Sequence, residues 1–142
     1  MNRIVGIDYG RKRTGLAVTD PTGIFAHPLE TVPTANIINY LKTYAQKETL
    51  THFVIGYPMN LNGKPSEAAP YVDSFIKELQ RSFPDIPVTK EDERFTSVLA
   101  FRSLIDSGVR KMGRRDKSAV DKVSASLILQ TFMDRQKNNP TI

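Results

Sequence analysis

The chain has 142 residues, 39% hydrophobic and 25% charged, and this length and composition predict one globular domain over residues 1–142. The absence of cysteine excludes disulfide scaffolds and thiol catalysis. With only two histidines a multi-histidine metal site is not expected, and a hard ion held by carboxylates is the metal that fits. The net charge is +5. No apolar run reaches the ~18 residues of a membrane span, and the strand-like start leaves no room for a signal peptide. We therefore expect a cytoplasmic protein with no membrane partner.

The first predicted elements form a meander of three strands. Residues 3–9 and 14–19 are rich in β-branched residues and are joined by a short connection. Asp20-Pro21-Thr22-Gly23 is a strong turn signal before a third extended segment at 24–32. Because Pro28 cannot donate a ladder hydrogen bond, this third segment is predicted to be an edge or irregular strand.

From residue 34 onward, helices alternate with strands. The spacing of apolar residues predicts helices over 34–45 and 66–83, and short apolar segments predict strands at 52–56 and 88–93. A third helix is predicted from about residue 97 until Gly108, a typical helix-ending residue, and a fourth over 118–135. This order predicts an α/β fold with a mixed sheet, in which a three-stranded antiparallel meander is followed by βαβα units with helices on both faces.

The positive charge is concentrated in two segments. Arg11-Lys12-Arg13 carries three positive charges, and residues 110–117 combine five basic residues with one acid. Together they exceed the net charge of the whole chain, so they predict contact with a polyanion such as nucleic acid or nucleotide. Gly10 and Gly15 flank Arg13 and would let backbone and guanidinium approach a phosphate closely. The alternative is that both segments are solvated surface loops.

Two aspartates occupy positions where a carboxylate needs a partner. Asp8 lies near the end of an apolar strand and shares a face with Gly6, so we expect open space beside it. Asp121 lies on the helical stripe that contains Ala125 and Ile128, where a carboxylate is costly unless it is paired, hydrogen-bonded or metal-bound. The structural alternatives are a turn or capping role for Asp8 and stabilisation of the helix N-terminus by Asp121.

A third group of acids, Glu91-Asp92-Glu93, ends the last predicted strand. Alternation puts Glu91 and Glu93 on one face and Asp92 on the other, and the sequence leaves open which face meets Asp8. Because ligand sites of α/β sheets lie beyond the carboxyl ends of strands, Asp8, one of these acids and Asp121 form a candidate constellation. Three convergent carboxylates would repel one another unless divalent cations lay between them, which suits phosphodiester hydrolysis.

Four motifs resemble those of the YqgF family, whose members are described as pre-16S rRNA nucleases and Holliday junction resolvases. They are Asp8-Tyr9-Gly10-x-x-Arg13-x-Gly15-x-Ala17; Gly56-x-Pro58 followed by Gly63; Asp92-Glu93-Arg94-x-Thr96-Ser97; and Lys117 and Asp121 with Ala125-x-x-Ile128-Leu129-Gln130. The motifs span residues 8–130 and are specific in combination. One departure is Ser124, where the family pattern has alanine; serine keeps the position small.

The resemblance implies an RNase H-like fold and a metal-dependent nuclease with a two-metal mechanism. It implies that Asp8, Glu93 and Asp121 are catalytic residues that bind Mg²⁺ or Mn²⁺, with Asp92 as the alternative to Glu93. The function that it favours is maturation of the 5′ end of pre-16S rRNA in ribosome biogenesis. Resolution of four-way DNA junctions by a dimer is the alternative within the family.

Seven basic residues are the predicted contacts to the substrate: Arg13, Arg94, Arg110, Lys111, Arg114, Arg115 and Lys117. RNA is the preferred partner, because junction DNA is usually bound by two-fold-related surfaces and the chain shows no apolar dimerisation stripe beyond its core faces. We therefore expect a monomer or weak homodimer, positioned by RNA shape or by an assembling ribosomal particle. The basic segments contain few aromatic residues, which predicts weak base stacking.

Two interpretations come from other functional classes. A non-catalytic nucleic-acid-binding factor would use only the basic segments. An ATP-binding module of the actin and sugar-kinase type shares the fold and the Asp-x-Gly hairpin, but such proteins need two domains to enclose a nucleotide, and 142 residues supply one.

Overall fold

The structure is a computed structural model that describes residues 2–112 and 117–138. Its strands are β1 (Asn2–Asp8), β2 (Arg13–Thr19), β3 (Ala26–Pro33), β4 (Thr49–Tyr57) and β5 (Val88–Asp92). Its helices are α1 (Ile37–Ala45), α2 (Ala69–Ser82), α3 (Val98–Met112) and α4 (Lys117–Asn138), with short 3₁₀ turns at Thr34–Asn36 and Glu93–Phe95. The predicted order of elements is confirmed throughout.

The five strands form one mixed sheet in the order β3-β2-β1-β4-β5. The β1–β2 and β2–β3 pairs are antiparallel, whereas β4 is parallel to both β1 and β5. The strand that contains Pro28 lies at the edge, as predicted, and its register with β2 shifts between Leu16 and Ala17, where Pro28 faces Ala17. The proline lacks the N–H that a regular ladder needs, so the irregularity falls where the ladder is already weakened.

Helices cover both faces of the sheet, as the strand and helix order predicts. On one face, α1 and α2 pack on odd-numbered residues of β1 and β4, such as Ile7 and Phe53, which are fully buried. On the other face, α4 packs on Ala17 and Val54, and α3 contributes Val98 to the same cluster. The alternation of strand side chains therefore divides the core into two layers.

Helix α4 packs closely against the sheet because glycines face it. A Cβ added at Gly6 would lie 2.6 Å from Cβ of Leu129, and one added at Gly15 would collide with the carbonyl oxygen of Asp121. The expectation of open space beside Gly6 was therefore wrong, since Leu129 fills it. Gly15 likewise serves helix packing rather than the approach of a phosphate, and this packing brings the first turn of α4 onto β2.

Two predicted helix ends differ from the structure. Helix α2 begins at Ala69 instead of residue 66, because Pro70 is tolerated only in the first turn of a helix. Helix α3 does not end at Gly108 but continues to Met112, since a glycine inside a helix costs only about 1 kcal/mol. Residues 110–112 of the predicted basic loop therefore belong to α3, and Lys117 begins α4.

Within residues 2–112 and 117–138, no helix is long and apolar enough to cross a membrane.

Candidate active site

The three predicted acids lie at one edge of the sheet. Asp8 ends β1, Glu93 starts the turn after β5, and both strands run in the same direction as β4. Asp121 reaches this edge from α4, whose backbone rests on Gly15, the partner of Asp8 in the β1–β2 ladder. All three acids line one pocket of about 330 Å³. The structure thus brings together the residues that the sequence placed in one constellation.

A single arginine joins two of these acids. Arg102 of α3 donates from Nη2 to Oδ1 of Asp8 over 2.6 Å and from Nη1 to Oε2 of Glu93 over 3.0 Å. A longer contact of 3.3 Å joins Nη2 to Oε1 of Glu93. The side chains of Asp8 and Glu93 are 12% and 10% exposed, so this guanidinium is shared by two nearly buried carboxylates.

The pKa of Asp8 is changed by this arrangement. Burial raises the pKa of its carboxyl to about 6, from an ordinary value of 3.8. Arg102 opposes the shift, whereas the negative charges of Glu93 and Asp121 add to it. Burial by itself would lower the pKa of Arg102, but the charges of Asp8 and Glu93 raise it, so the guanidinium stays charged.

Asp121 has its own arginine partner. Its carboxylate accepts a hydrogen bond from Nε of Arg13, which lies at the start of β2. Ala125 and Ile128, which follow on the same predicted stripe of α4, are buried in the core. Asp121, at the start of the stripe, lines the pocket. Arg13 was predicted to contact substrate; in the structure it lines the pocket but is paired with an acid.

The three adjacent acids at the end of β5 have different environments. Glu93 lines the pocket, whereas Asp92 accepts hydrogen bonds from the guanidinium and the backbone N–H of Arg94, which lowers its pKa. Glu91 is 1% exposed and pairs with Arg135 of α4. Of the two candidates for the metal-binding position, Glu93 rather than Asp92 therefore faces Asp8. Arg94, another predicted substrate contact, is held by Asp92 outside the pocket lining.

The remaining predicted substrate contacts lie at or between the facing ends of α3 and α4 in the sequence. Arg110 and Lys111 lie in the last turn of α3, and Lys117 is the first residue of α4. Arg114 and Arg115 lie outside the described residues. Their contact with substrate stays a prediction.

The carboxylate oxygens of the pocket fit a hard divalent cation, although in this structure the acids pair with arginines. Among the described residues, no three His, Cys, Asp or Glu side chains are placed as a ready metal cluster. Asp8, Glu93 and Asp121 nevertheless supply only carboxylate oxygens, which Mg²⁺ and Mn²⁺ prefer. Two arginines, Arg102 and Arg13, pair with the three carboxylates, while Arg11, the third arginine of the pocket lining, lies over the ring of Tyr71. Burial is the main cause of the raised pKa of Asp8, and the neighbouring carboxylates add to it.

Sequence reasoning missed two features of the pocket. Arg102 was overlooked, although it lies four residues after Val98, a buried position, and so on the core-facing side of α3. A charged residue on that side is the signal that could have identified it. The second feature is Tyr71 of α2, which is 44% exposed at the pocket and has the guanidinium of Arg11 4.2 Å from its ring centroid.

Known proteins resemble this chain over nearly its whole length. A family model named RuvX and described as "Holliday junction resolvase" matches residues 2–135. A Porphyromonas gingivalis protein named "Putative pre-16S rRNA nuclease" is 49% identical over 134 residues, which are 94% of this chain and 97% of that protein. A Parabacteroides distasonis protein of the same name is 45% identical over 137 residues, 96% of this chain and 98% of that protein.

Among solved structures, the chain resembles T. thermophilus RuvC in complex with a Holliday junction substrate. The TM-score is 0.55 and the identity 14%, and the match covers 95% of this chain and 96% of that one. At this identity the likeness shows the fold alone. It confirms the predicted RNase H-like architecture of a mixed sheet with helices on both faces.

Proposed function

This chain belongs to the RuvX family, and from that premise we propose that it hydrolyses phosphodiester bonds in precursor 16S rRNA during 5′-end processing. The family and its curated relatives support a nuclease that binds nucleic acid. The observation that supports the catalytic assignment is the meeting of Asp8, Glu93 and Asp121 in one pocket. Such a nuclease works in the cytoplasm, where ribosomes assemble.

We assign Asp8 and Glu93 as the central metal-binding residues and Asp121 as the third. Mg²⁺ or Mn²⁺ bound there would activate a water molecule and stabilise the leaving oxygen. The carboxylates of Asp8 and Glu93 lie close enough to share the guanidinium of Arg102, so they can also share a small cation. Arg13 beside Asp121 places a second positive charge at the pocket, where it can orient a phosphate.

The pocket favours a single strand as substrate. Tyr71 and Arg11 provide an aromatic ring and a guanidinium plane at the same pocket as the acids, and both surfaces can stack on an unpaired base. This supports a single-stranded substrate over a duplex or a junction, and Tyr71 adds an aromatic surface outside the basic segments, for which weak stacking is expected. We propose that the protein acts as a monomer or weak homodimer and that an assembling ribosomal particle positions the RNA.

Junction resolution is the second candidate, because the matching family model is described by that activity. A non-catalytic binding factor is the third, since paired arginines could neutralise the acids permanently. The deciding experiment is a cleavage assay with Mg²⁺ or Mn²⁺ that compares precursor rRNA, single-stranded RNA and a four-way DNA junction. Cleavage near the 5′ end of the mature rRNA supports the proposal, whereas preferential symmetric nicking of the junction would replace it with resolution. Binding without cleavage of any substrate would indicate the binding factor.

A further inference from the structure

Arg102 uses the same oxygen atoms that the proposed metal site needs. Its guanidinium contacts Oδ1 of Asp8 and both carboxylate oxygens of Glu93. A guanidinium and a divalent cation are alternative partners for such oxygens, because both are bound through charge and both fill the space between the carboxylates. They cannot occupy these positions together.

We propose that Arg102 is an exchangeable internal cation, which holds Asp8 and Glu93 together until a divalent ion displaces it. The inference rests on the proposed metal-dependent nuclease function. In the free protein the arginine limits repulsion between two nearly buried carboxylates, and it must swing away before the ion binds. Arg102 is therefore a positioning residue whose presence weakens metal binding while preserving the shape of the site.

The surroundings of Arg102 permit this exchange. Its side chain is 32% exposed and lines the pocket, so a rotamer change can move the guanidinium toward solvent without repacking the core. Inside the pocket the complementary partner for a released guanidinium is a phosphate group, because arginine binds phosphate and carboxylate with the same planar pair of donors. Metal binding and phosphate binding would then reinforce each other, since each favours the released arginine.

Metal binding without nucleic acid tests the inference directly. Mn²⁺ affinity is measured by calorimetry and by electron paramagnetic resonance for the wild type, Arg102→Gln, Arg102→Lys and the control Arg94→Gln. Arg94 is a good control because it also pairs with a carboxylate near the site but does not line the pocket. We expect Arg102→Gln to bind Mn²⁺ at least about 10-fold more tightly than the wild type, because a competitor has been removed. Arg102→Lys should fall between them, and Arg94→Gln should change affinity less than about twofold.

The unfolding temperature of each variant, with and without Mn²⁺, is measured in parallel. Arg102→Gln should unfold at a lower temperature than the wild type in EDTA and gain more from added Mn²⁺, because unpaired acids then acquire a cation. Adding Asp8→Asn to Arg102→Gln should abolish the gain in affinity, which locates the ion at Asp8. Unchanged or weaker Mn²⁺ binding by a folded Arg102→Gln protein would overturn the proposal; if that variant does not fold, equal affinities of Arg102→Lys and the wild type would do so.

These outcomes are independent of cleavage. If Arg102→Gln binds Mn²⁺ more tightly but the wild type cleaves no nucleic acid, the exchange stands and the nuclease proposal fails. If cleavage is observed but Arg102→Gln gains no affinity, the nuclease proposal stands and the exchange fails.

Discussion

Two glutamates at the end of β5, Glu91 and Glu93, both pair with an arginine from a helix on the same face of the sheet, yet the two contacts are built differently. Glu91 has Arg135 to itself, with Nη2 2.7 Å from Oε2 and a second contact from Nη1. Glu93 shares Arg102 with Asp8, and the third acid lies in the same pocket. One contact is a balanced pair, and in the other a single guanidinium serves two carboxylates.

The difference separates a structural contact from a candidate catalytic one. A balanced pair, in which Glu91 is buried and Arg135 is half exposed, stabilises the packing of α4 on the sheet edge and needs no further partner. In the other contact, burial and the charge of Glu93 raise the pKa of Asp8 although Arg102 opposes the shift, and the two acids open into a pocket, so they can accept another cation. A buried acid is therefore informative only together with the number of acids and arginines that it contacts.

The largest effect should come from replacing Asp8, one of the two acids that share Arg102. Asp8→Asn should reduce the cleavage rate by at least about 1000-fold, because the amide cannot hold the metal ion that supplies several kcal/mol of transition-state stabilisation. Circular dichroism should show an intact fold. The matched control is Asp92→Asn, whose carboxylate pairs with Arg94 outside the pocket and should retain activity within a few fold. If Asp92→Asn is inactive and Asp8→Asn is active, the assignment of the site is wrong.

The raised pKa of Asp8, which is caused mainly by burial, predicts how stability depends on pH. The pKa of Asp8 is about 6 in the folded protein against an ordinary 3.8, so between these pH values the folded state binds more protons than the unfolded state. Raising the pH through this window therefore costs stability, by about 3 kcal/mol at most. In EDTA, the free energy of unfolding of Asp8→Asn minus that of the wild type should increase between about pH 4 and pH 6 and level off above pH 7. A difference that is flat with pH would show that neither burial nor the neighbouring acids raise the pKa of Asp8 in the folded protein.

The balanced pair should affect stability and not chemistry. Arg135→Met leaves Glu91 buried without its partner and should lower the free energy of unfolding by about 2 kcal/mol, a value reduced because Arg135 is half exposed. The cleavage rate of the folded fraction should be unchanged. Urea unfolding and single-turnover cleavage measure the two effects, and a large loss of rate in a stable variant would contradict the structural role.

The basic segment of residues 110–117 should act on affinity for nucleic acid. Replacing Arg114 and Arg115 together with alanine should weaken binding to any sequence and reduce the slope of log affinity against log salt by about one to two units. Fluorescence anisotropy at several salt concentrations measures this. Constant affinity with a collapsed cleavage rate would place these arginines in the catalytic machinery instead.

The smallest expected effect is on binding of nucleic acid and comes from Tyr71, the exposed aromatic residue of the pocket. Tyr71→Ala should weaken binding of a single-stranded oligonucleotide by about 5- to 10-fold, because one base loses its stacking partner. Tyr71→Phe should keep most of the affinity. Phe25→Ala is the control, since Phe25 is 58% exposed and precedes β3 near the opposite edge of the sheet from Asp8. Equal losses in the two alanine variants would indicate a nonspecific effect.

The sequence by itself determined the order of elements, the mixed sheet, the edge position of the strand with Pro28 and the stripe that carries Asp121. These features depend on local periodicity and on the backbone limits of single residues, which act over a few positions. The same reasoning says less about α3, where Leu99 and Leu104 are 40% and 72% exposed. Spacing shows that a helix is amphipathic, but not how much of its face another element covers.

Only the tertiary structure decided which acids meet and which cation they meet. Arg102 and Asp8 are 94 residues apart, and Arg13 and Asp121 are 108 residues apart, so no local pattern relates them. The choice of Glu93 over Asp92 likewise depended on the turn after β5 and on Gly56, where an added Cβ would lie 2.8 Å from Oε1 of Glu93. Charged residues so far apart in the sequence come together for two reasons. The parallel strands β1, β4 and β5 end on the same side of the sheet, and Gly6 and Gly15 let α4 pack closely against it. The balance of charge is therefore a property of packing rather than of sequence.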